Sequence, residues 1–276
     1  MHINEHHLKS FEEYLCHEEK SQATIEKYLR DIKKFMQYAK DRALTKDIVM
    51  EYKKNLLDCG YAIRSINSML ASLNSLLRFL GCEECKVKSI RQQRQIYCAE
   101  SKELTRAEYM RLLEVSKSSP KLSLLMKTIC STGIRVSELK YFTVEAVKKG
   151  EITVHCKNKL RNILIPGKLK KRLIDYSKRH KICSGPIFVT RNGKTMNRSN
   201  IWAQMKRLSQ KANVNPDKVF PHNLRKLFAR SFYDLEKDIA KLADVLGHSS
   251  IDTTRIYIMT SGVEHRKELE KLDLVW

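Results

Sequence analysis

The sequence predicts a mainly helical protein of two domains, the second of which also contains a small antiparallel sheet. The chain of 276 residues is longer than a typical single domain. It contains only 9 Gly and 5 Pro, so residues that end or break helices are scarce. Apolar residues recur at helical spacing along most of the chain and alternate as in strands only near residue 150. Together these features favour helices throughout, with a little sheet in the second half.

Four amphipathic helices are predicted in residues 1–85. Residues 21–39 and 65–80 carry apolar side chains three or four positions apart, and the second of these stretches closes at Gly81. Thr45 is a predicted N-cap for a helix that ends at Cys59 and Gly60. A further helix is expected around residues 7–14. This pattern indicates a helical first domain over residues 1–85.

The charge of the chain indicates a polyanionic partner. Lys and Arg number 53 against 31 Asp and Glu, a formal net charge of +22. Neutralised phosphates release condensed counterions, which favours binding of such a chain to nucleic acid. The alternatives are a solvated basic surface or binding to an anionic membrane. The cations run through the whole chain rather than along one amphipathic helix, which disfavours membrane binding.

Other sequence features predict a cytoplasmic protein without a membrane segment, metal or cofactor. The chain has no run of eighteen apolar residues, and its first residues lack the apolar core of a signal peptide. The 8 Cys are therefore expected as thiols. Cys82 and Cys85 have the spacing of metal ligands, but no second pair stands at zinc-finger distance.

Residues 86–100 interrupt the helical pattern and are predicted to be a basic linker between the domains. Residues 86–94 contain no acid and have no regular period. We expect their cations to lie on phosphates, although any exposed linker could look similar. These cations are Lys86, Lys88, Arg91 and Arg94.

Residues 101–276 are predicted to form the second domain. Thr105 and Glu108 fit a capping box before an apolar run, and the next helix, over residues 122–130, stops at Gly133. Short strands are expected at 151–156 and 162–165 around a polar turn, with a third at 187–189. The remaining expected helices cover residues 197–212, 221–233, 238–246 and 251–257, with a last one through residue 268.

Five fragments of this domain contain the residue types that phosphodiester transfer without a metal ion requires. Two guanidiniums can clamp the charge that develops on the non-bridging oxygens of the phosphate. A phenol has a pKa near 10 and needs a neighbouring base and a positive field to attack at neutral pH. A lysine on a hairpin turn is a suitable acid for the leaving oxygen. The residues are Arg135, Lys157, His222, Arg225, His248 and Tyr257.

Each of these residues also has a purely structural interpretation. Arg135 could be a surface charge at a helix start, and His222 could be a capping or core histidine. Tyr257 could be a core residue of an amphipathic helix. The functional interpretation depends on all six residues occurring together. His222 and Arg225, for example, stand three residues apart and so share one helix face.

The five fragments resemble the motifs of the tyrosine recombinases and phage-type integrases, and the resemblance spans nearly the whole chain. Residues 132–139 fit the T-G-hydrophobic-R-x-x-E-L box, and residues 157–161 fit the lysine-bearing hairpin. His222 and Arg225 fit H-x-x-R, and His248 fits L-G-H. Tyr257 then stands nine residues beyond His248, as in the family. Five motifs in order are a specific signal, whereas any one alone would be weak.

The resemblance implies a SAM-like helical core-binding domain followed by a catalytic domain, and it assigns roles within the second. Arg135 and Arg225 would clamp the phosphate, with Glu138 as support. Lys157 would be the general acid. Lys159 is the alternative acid, because the hairpin lacks the glycine often found between its lysines. If Lys157 is the acid, Lys159 would contact DNA.

The chain differs from many family members at the position after Arg225 and in where its first domain starts. Lys226 replaces a histidine that often follows the H-x-x-R arginine, a change outside the core catalytic roles. The chain starts almost directly at the core-binding helices, so it resembles the simpler two-domain members without an arm-binding domain.

The implied function is site-specific recombination of DNA for integration, excision or inversion. Tyr257 would form a 3′-phosphotyrosine, and strands would exchange through a Holliday junction. The implied partner is double-stranded DNA with inverted-repeat core sites, bound by a homotetramer whose subunits are monomers in free solution, with accessory proteins possible. Residues 262–276 would dock onto a neighbouring subunit. The alternatives are a strand cutter like the type IB topoisomerases and a catalytically silent DNA-binding relative.

Overall fold

The computed structural model describes residues 1–40, 42–92, 103–156, 159–190, 192–259, 266–267 and 269–274, and of residues 155, 156 and 159 only the backbone. The chain forms two compact units, Met1–Arg94 and Gln95–Trp276. Most of the described residues are helical, and the sheet is small. None of the described helices combines the length and the apolar character that crossing a membrane requires.

The first unit is helical, as its apolar periodicity predicts. Thr45 caps α3 by accepting a hydrogen bond from the amide of Ile48. The apolar faces meet in one core around Phe11, Phe35 and Leu70, all of them at most 1% exposed. Its helices are α1 (Glu5–His17), α2 (Gln22–Ala39), α3 (Lys46–Asp58) and α4 (Ile63–Phe79).

The start of the predicted linker lies on α4. The side-chain amide of Asn67 exchanges two hydrogen bonds with the backbone of Ile90, at 2.8 and 2.9 Å. Asn74 does the same with Val87, at 2.9 and 3.2 Å. Each asparagine thus offers the donor and acceptor that a neighbouring strand would offer. Since Val87 is also buried, residues 87–90 are part of the packed first unit.

The second unit surrounds helix α6, which is buried on nearly every side. The predicted capping box of Thr105 and Glu108 is present at the start of α5, and Pro120 begins α6. Gly133 ends α6 in the left-handed conformation. Its described helices are α5 (Arg106–Val115), α6 (Pro120–Thr132), α7 (Val144–Lys149), α8 (Gly167–Arg179), α9 (Arg198–Lys211), α10 (Pro221–Glu236), α11 (Ile239–Leu246) and α12 (Ile251–Ile258).

The described part of the sheet is a single antiparallel hairpin of β1 (Glu151–Cys156) and β2 (Lys159–Leu164). The third strand predicted at residues 187–189 is wrong. Thr143 and Pro186 form one isolated bridge there, and Val189 and Thr195 form another. Proline has no amide to donate to a ladder, and the chain turns back within a few residues, so no strand extends.

Helices α7 and α8 lie outside the sequence-based expectations. In α8 the signal is Leu169, Leu173 and Tyr176, which are spaced four and three residues apart and are all buried. In α7 the six residues are too few for a periodic signal, although Thr143 caps the helix.

Candidate active site

Arg135 and Glu138 are joined at the turn that follows α6. The left-handed Gly133 ends the helix, and the chain continues through Arg135 into a 3-10 turn, Val136–Tyr141. Glu138 is only 3% exposed and accepts from the Arg135 amide at 2.7 Å and from Arg135 Nη1 at 3.0 Å. The guanidinium is also held by its Nη2, which donates to the Gly247 carbonyl at 3.3 Å. The backbone and side chain of Arg135 are therefore fixed by one buried carboxylate.

Arg161 of β2 makes the second ion pair of Glu138. Its Nη2 donates to Glu138 Oε2 at 2.7 Å, and its Nη1 donates to the Val245 carbonyl at 2.9 Å. The sequence motifs assign no role to this residue. The only signal it offered was an arginine on a strand that otherwise leads to a buried Ile163.

Arg225 is buried beneath the site, with 1% exposure. Its guanidinium donates to three groups from two segments: the Gly133 carbonyl in one, and the Leu246 carbonyl at 2.7 Å and His248 Nε2 at 3.0 Å in the other. Burial, and secondarily the charge of Arg135, lower the pKa of Arg225 to about 10, although nearby Tyr257 opposes the shift. The side chain still carries its charge at neutral pH.

The contacts of His248 determine its tautomer. Because a guanidinium only donates, Nε2 of His248 must accept from Arg225 and carries no hydrogen. The hydrogen of the neutral ring is then on Nδ1, which lies 2.9 Å from the hydroxyl oxygen of Thr254 and donates to it. Desolvation, followed by the charges of Arg225, Arg135 and Arg161, lowers the pKa of His248 to about 4.

Tyr257 of α12 packs near both histidines. Its ring centroid lies 5.1 Å from that of His222 and 5.0 Å from that of His248. The Arg225 guanidinium carbon lies 5.9 Å from the same ring centre. Tyr257 is 7% exposed. Residues separated by up to 35 positions in the sequence thus surround one phenol ring.

His222 lies at the open edge of the group. Packing around the ring desolvates the imidazole although part of the residue faces solvent, and this lowers its pKa. The charges of Lys226 and Arg225 act in the same direction. At neutral pH both histidines are therefore uncharged and offer ring nitrogens rather than further positive charge.

A cleft of about 450 Å³ opens beside these residues. Arg135, His222 and Arg225 line it, together with Lys140 and Arg198. The cleft therefore collects cations that can bind a tetrahedral anion next to Tyr257. The half-exposed Trp202 also lines it. Lys140, Arg198 and Trp202 lie between or outside the sequence motifs, so the motifs did not predict them.

The described residues contain no group of His, Cys, Asp and Glu that could hold a metal ion.

Lys157 and Arg94 lie outside the described residues, as does the side chain of Lys159. Of the expected phosphate contacts in the first unit, Lys86 pairs with Glu83 at 2.5 Å. Lys88 and Arg91 are exposed.

Two family models match the chain. The model described as the phage integrase family covers residues 102–262, and the phage integrase N-terminal SAM-like domain covers residues 8–84. The chain belongs to the phage integrase family. The prediction made from the five fragments is thereby confirmed, and so is the SAM-like character of the first unit.

Similar proteins across archaea and bacteria carry recombinase names. Tyrosine recombinase XerA of Pyrococcus furiosus is 30% identical over 97% of this chain and 94% of its own length. Tyrosine recombinase XerD of Halalkalibacterium halodurans is 28% identical over 86% and 87%. This member of the phage integrase family is accordingly a tyrosine recombinase, a site-specific DNA recombinase.

Solved integrase structures share its fold. A lambda integrase dimer bound to a COC′ core site aligns over 94% of this chain and 96% of its own, with a TM-score of 0.75 at 20% identity. The Tn1549 transposon integrase in complex with transposon right end DNA aligns over 96% and 99%, with a TM-score of 0.73 at 16% identity.

Proposed function

We propose that this recombinase cuts one strand of duplex DNA with Tyr257 and holds the cut end as a 3′-phosphotyrosine. The observation that carries the proposal is the position of Tyr257, whose ring lies near His222, His248 and Arg225. A phenol attacks best where a base can take its proton and a positive field stabilises the phenolate. Both conditions are met beside a cleft lined by further cations.

Arg135 and Arg225 stabilise the charge that develops on the attacked phosphate. Glu138 and the Gly247 carbonyl fix Arg135 at the cleft. Arg225 is fixed by two carbonyls and a histidine, so it need not reorganise during the reaction. A guanidinium also keeps its proton throughout, which suits a group that binds charge and transfers none.

The two histidines have different roles in the proposed reaction. His248 already accepts from Arg225 through Nε2, so it orients that guanidinium. His222 is neutral at pH 7 and lines the cleft beside Tyr257, so it is the better placed acceptor for the phenolic proton. The ring of His222 can also hydrogen-bond the phosphate, whereas both ring nitrogens of His248 are engaged, by Arg225 and Thr254.

Lys157 protonates the departing 5′-oxygen, with Lys159 as the alternative acid. The two residues begin the hairpin segment that leads into Arg161. A substrate with a sulfur in place of the bridging 5′-oxygen needs no acid, because a thiolate leaves readily. On this substrate the cleavage defect of Lys157→Ala should disappear. If only Lys159→Ala is rescued, Lys159 is the acid.

After cleavage, the 5′-hydroxyl of a partner duplex attacks the phosphotyrosine, and strands exchange through a Holliday junction without ATP or metal. Similar integrases support this extension, since one solved structure is described as a lambda integrase tetramer bound to a Holliday junction. We propose a homotetramer on paired inverted-repeat sites, formed from monomers, with accessory proteins where the reaction requires a direction. Because the substrate is DNA, we also propose a cytoplasmic location.

The domains then have separate tasks. Residues 1–85 bind the core site, residues 86–100 lie on phosphates, and residues 101–276 carry out the chemistry. Leu269, Leu272 and Leu274 are exposed and would offer the apolar side of the segment that docks onto a neighbour. The proposed phosphate contacts are Lys86, Lys88, Arg91, Arg94 and Lys159.

Nicked suicide DNA tests the proposal, because loss of the short cleaved fragment prevents religation. The chain should form a covalent adduct, and Tyr257→Phe should form none. An adduct with the phenylalanine variant would exclude Tyr257 as the nucleophile. The absence of an adduct with the natural chain on a functional core site would favour a silent DNA-binding relative.

A pair of assays separates recombination from the topoisomerase alternative. Supercoil relaxation needs one DNA site, whereas recombination needs two. We expect product from a plasmid with two core sites, with relaxation dependent on the presence of those sites. Rapid relaxation of plasmids without the sites, and no recombinant product, would favour a topoisomerase.

A further inference from the structure

We propose that Arg161 is a positioning residue of the cleavage reaction. It holds Glu138 and the turn before His248, so that Arg135 and, through His248, Arg225 are presented to one phosphate. The inference rests on the proposed function, since it concerns the same reaction. It gives a role to a residue of the hairpin stretch 157–161 to which the family resemblance assigns none.

Arg161 completes the neutralisation of Glu138. The carboxylate is nearly inaccessible, and each of its oxygens faces a different guanidinium: Oε1 faces Arg135 and Oε2 faces Arg161. Without Arg161, a buried carboxylate would face Arg135 alone, and the attraction between the two would increase. Arg135 would then be drawn toward Glu138 and away from the substrate.

The other terminal nitrogen of the Arg161 guanidinium fixes the end of α11. Its Nη1 donates to the carbonyl of Val245, two residues before Gly247 and three before His248. The side chain also lies against Gly247, where an added Cβ would stand 2.5 Å from Arg161 Cδ. The Gly247 carbonyl in turn accepts from Arg135. One guanidinium therefore connects the segments that carry Arg135 and His248.

Only an arginine can make both connections at once. Its planar fork places two donors in fixed directions, toward Glu138 and toward Val245. Only 11% of the side chain is exposed. A lysine offers a single ammonium that can reach one of these groups at a time. Arg161→Lys thus keeps the charge and removes the connection, whereas Arg161→Gln removes both.

The decisive experiment compares two nicked suicide substrates with the full-length enzyme. One has the natural phosphodiester at the cleavage site, and the other has a methylphosphonate, in which a methyl group replaces one non-bridging oxygen. The neutral analogue depends less on a correctly placed Arg135, because it carries no charge there. A variant that misplaces Arg135 should therefore lose much more rate on the phosphodiester.

We expect Arg161→Gln to slow adduct formation on the phosphodiester by on the order of 10- to 100-fold, with little change in DNA affinity. On the methylphosphonate the loss should be less than about threefold. Arg161→Lys should show the same selectivity with a smaller loss. Arg179→Gln on α8, an exposed charge without a described partner, is the matched control and should behave as the natural chain.

Equal losses on the two substrates would overturn the inference, because a general structural defect does not distinguish them. So would natural rates with Arg161→Gln. If Arg161→Gln unfolds at the assay temperature, Arg161→Lys carries the same comparison. The proposed function fails separately, when the natural chain forms no adduct on the phosphodiester.

Discussion

Arg225 donates from Nη2 to Nε2 of His248 across 3.0 Å, and this contact couples the charges of the two side chains. The hydrogen bond requires an unprotonated Nε2. A protonated His248 would lose the bond and place a second positive charge beside a buried guanidinium. Desolvation, and next the charge of Arg225, lower the pKa of His248 to about 4. The site is therefore arranged for one cation and one neutral ring.

The stability of the enzyme should fall in acid because of His248. Its pKa is about 4 in the folded chain and about 6.5 in an unfolded one, so the unfolded state binds more protons between these values. Stability is then complete above pH 6.5 and is lost as the pH falls toward 4. The loss should be about 1–2 kcal/mol, allowing for solvent near the ring.

The control is His248→Gln, which removes the titrating group and keeps an acceptor for Arg225. Denaturant unfolding at pH 7, 6, 5 and 4 gives the free energy of unfolding of both proteins. The difference between them should shrink as the pH falls. A difference that stays constant over this range would show that His248 titrates normally.

Glu138→Gln should destabilise the second unit and slow cleavage. The change leaves Arg161 and Arg135 without their shared carboxylate in a nearly dry site. We expect a loss of roughly 2–4 kcal/mol in the free energy of unfolding. Glu114→Gln is the matched control, because its pair with Lys117 is exposed on both sides, and it should lose at most about 0.5 kcal/mol. Equal effects would argue against the role of Glu138.

Gly247→Ala should cost more than the same change at a glycine with free space. Both Gly247 and Gly193 have positive φ, at 64° and 71°, so alanine is strained at either position by about 1 kcal/mol. At Gly247 the new methyl group would also displace Arg161, whereas no described residue lies within 4 Å of the Cβ position at Gly193.

Chemical denaturation and adduct formation test this comparison. Gly247→Ala should lose roughly 2–3 kcal/mol of unfolding free energy and most of its cleavage rate. Gly193→Ala should keep its cleavage rate. Similar cleavage by the two variants would show that the Arg161 contact tolerates displacement.

Local chemistry made most of the helices predictable from the sequence. The caps at Thr45 and Thr105 and the left-handed Gly133 satisfy backbone groups of nearby residues, so their signals lie within a few positions. The motif spacing likewise predicted Tyr257, and the structure brings it together with His222 and His248.

The supporting contacts could not be read from the sequence, because they join distant positions. Arg161 and Val245 are 84 residues apart, and nothing in either neighbourhood specifies the other. Thr254, which accepts from His248, sits on a helix where a threonine alone carries no signal. The third strand was expected from a short apolar run, which a buried loop can also provide.

The attachment of residues 87–90 to α4 gives the last prediction. Asn67→Ala removes both hydrogen bonds to Ile90, and we expect a loss of about 1–2 kcal/mol in the stability of the first unit. Hydrogen exchange at the Ile90 amide should become faster. Asn55→Ala is the control. The one hydrogen bond described for the Asn55 side chain is a weak one, accepted from the Cys59 thiol at 3.9 Å.

DNA binding should respond as well. Lys88 and Arg91 flank Ile90, so a loosened segment would present them to phosphates less favourably, and core-site affinity should fall several-fold for Asn67→Ala. Fluorescence anisotropy over a salt series measures this, since each lost phosphate contact makes the negative slope of log K against log salt shallower by about one. If Ile90 exchanges faster while affinity and slope stay those of the natural chain, the cations of this segment do not contact DNA. An Ile90 amide that exchanges at its natural rate would instead show that Asn67 does not hold the segment.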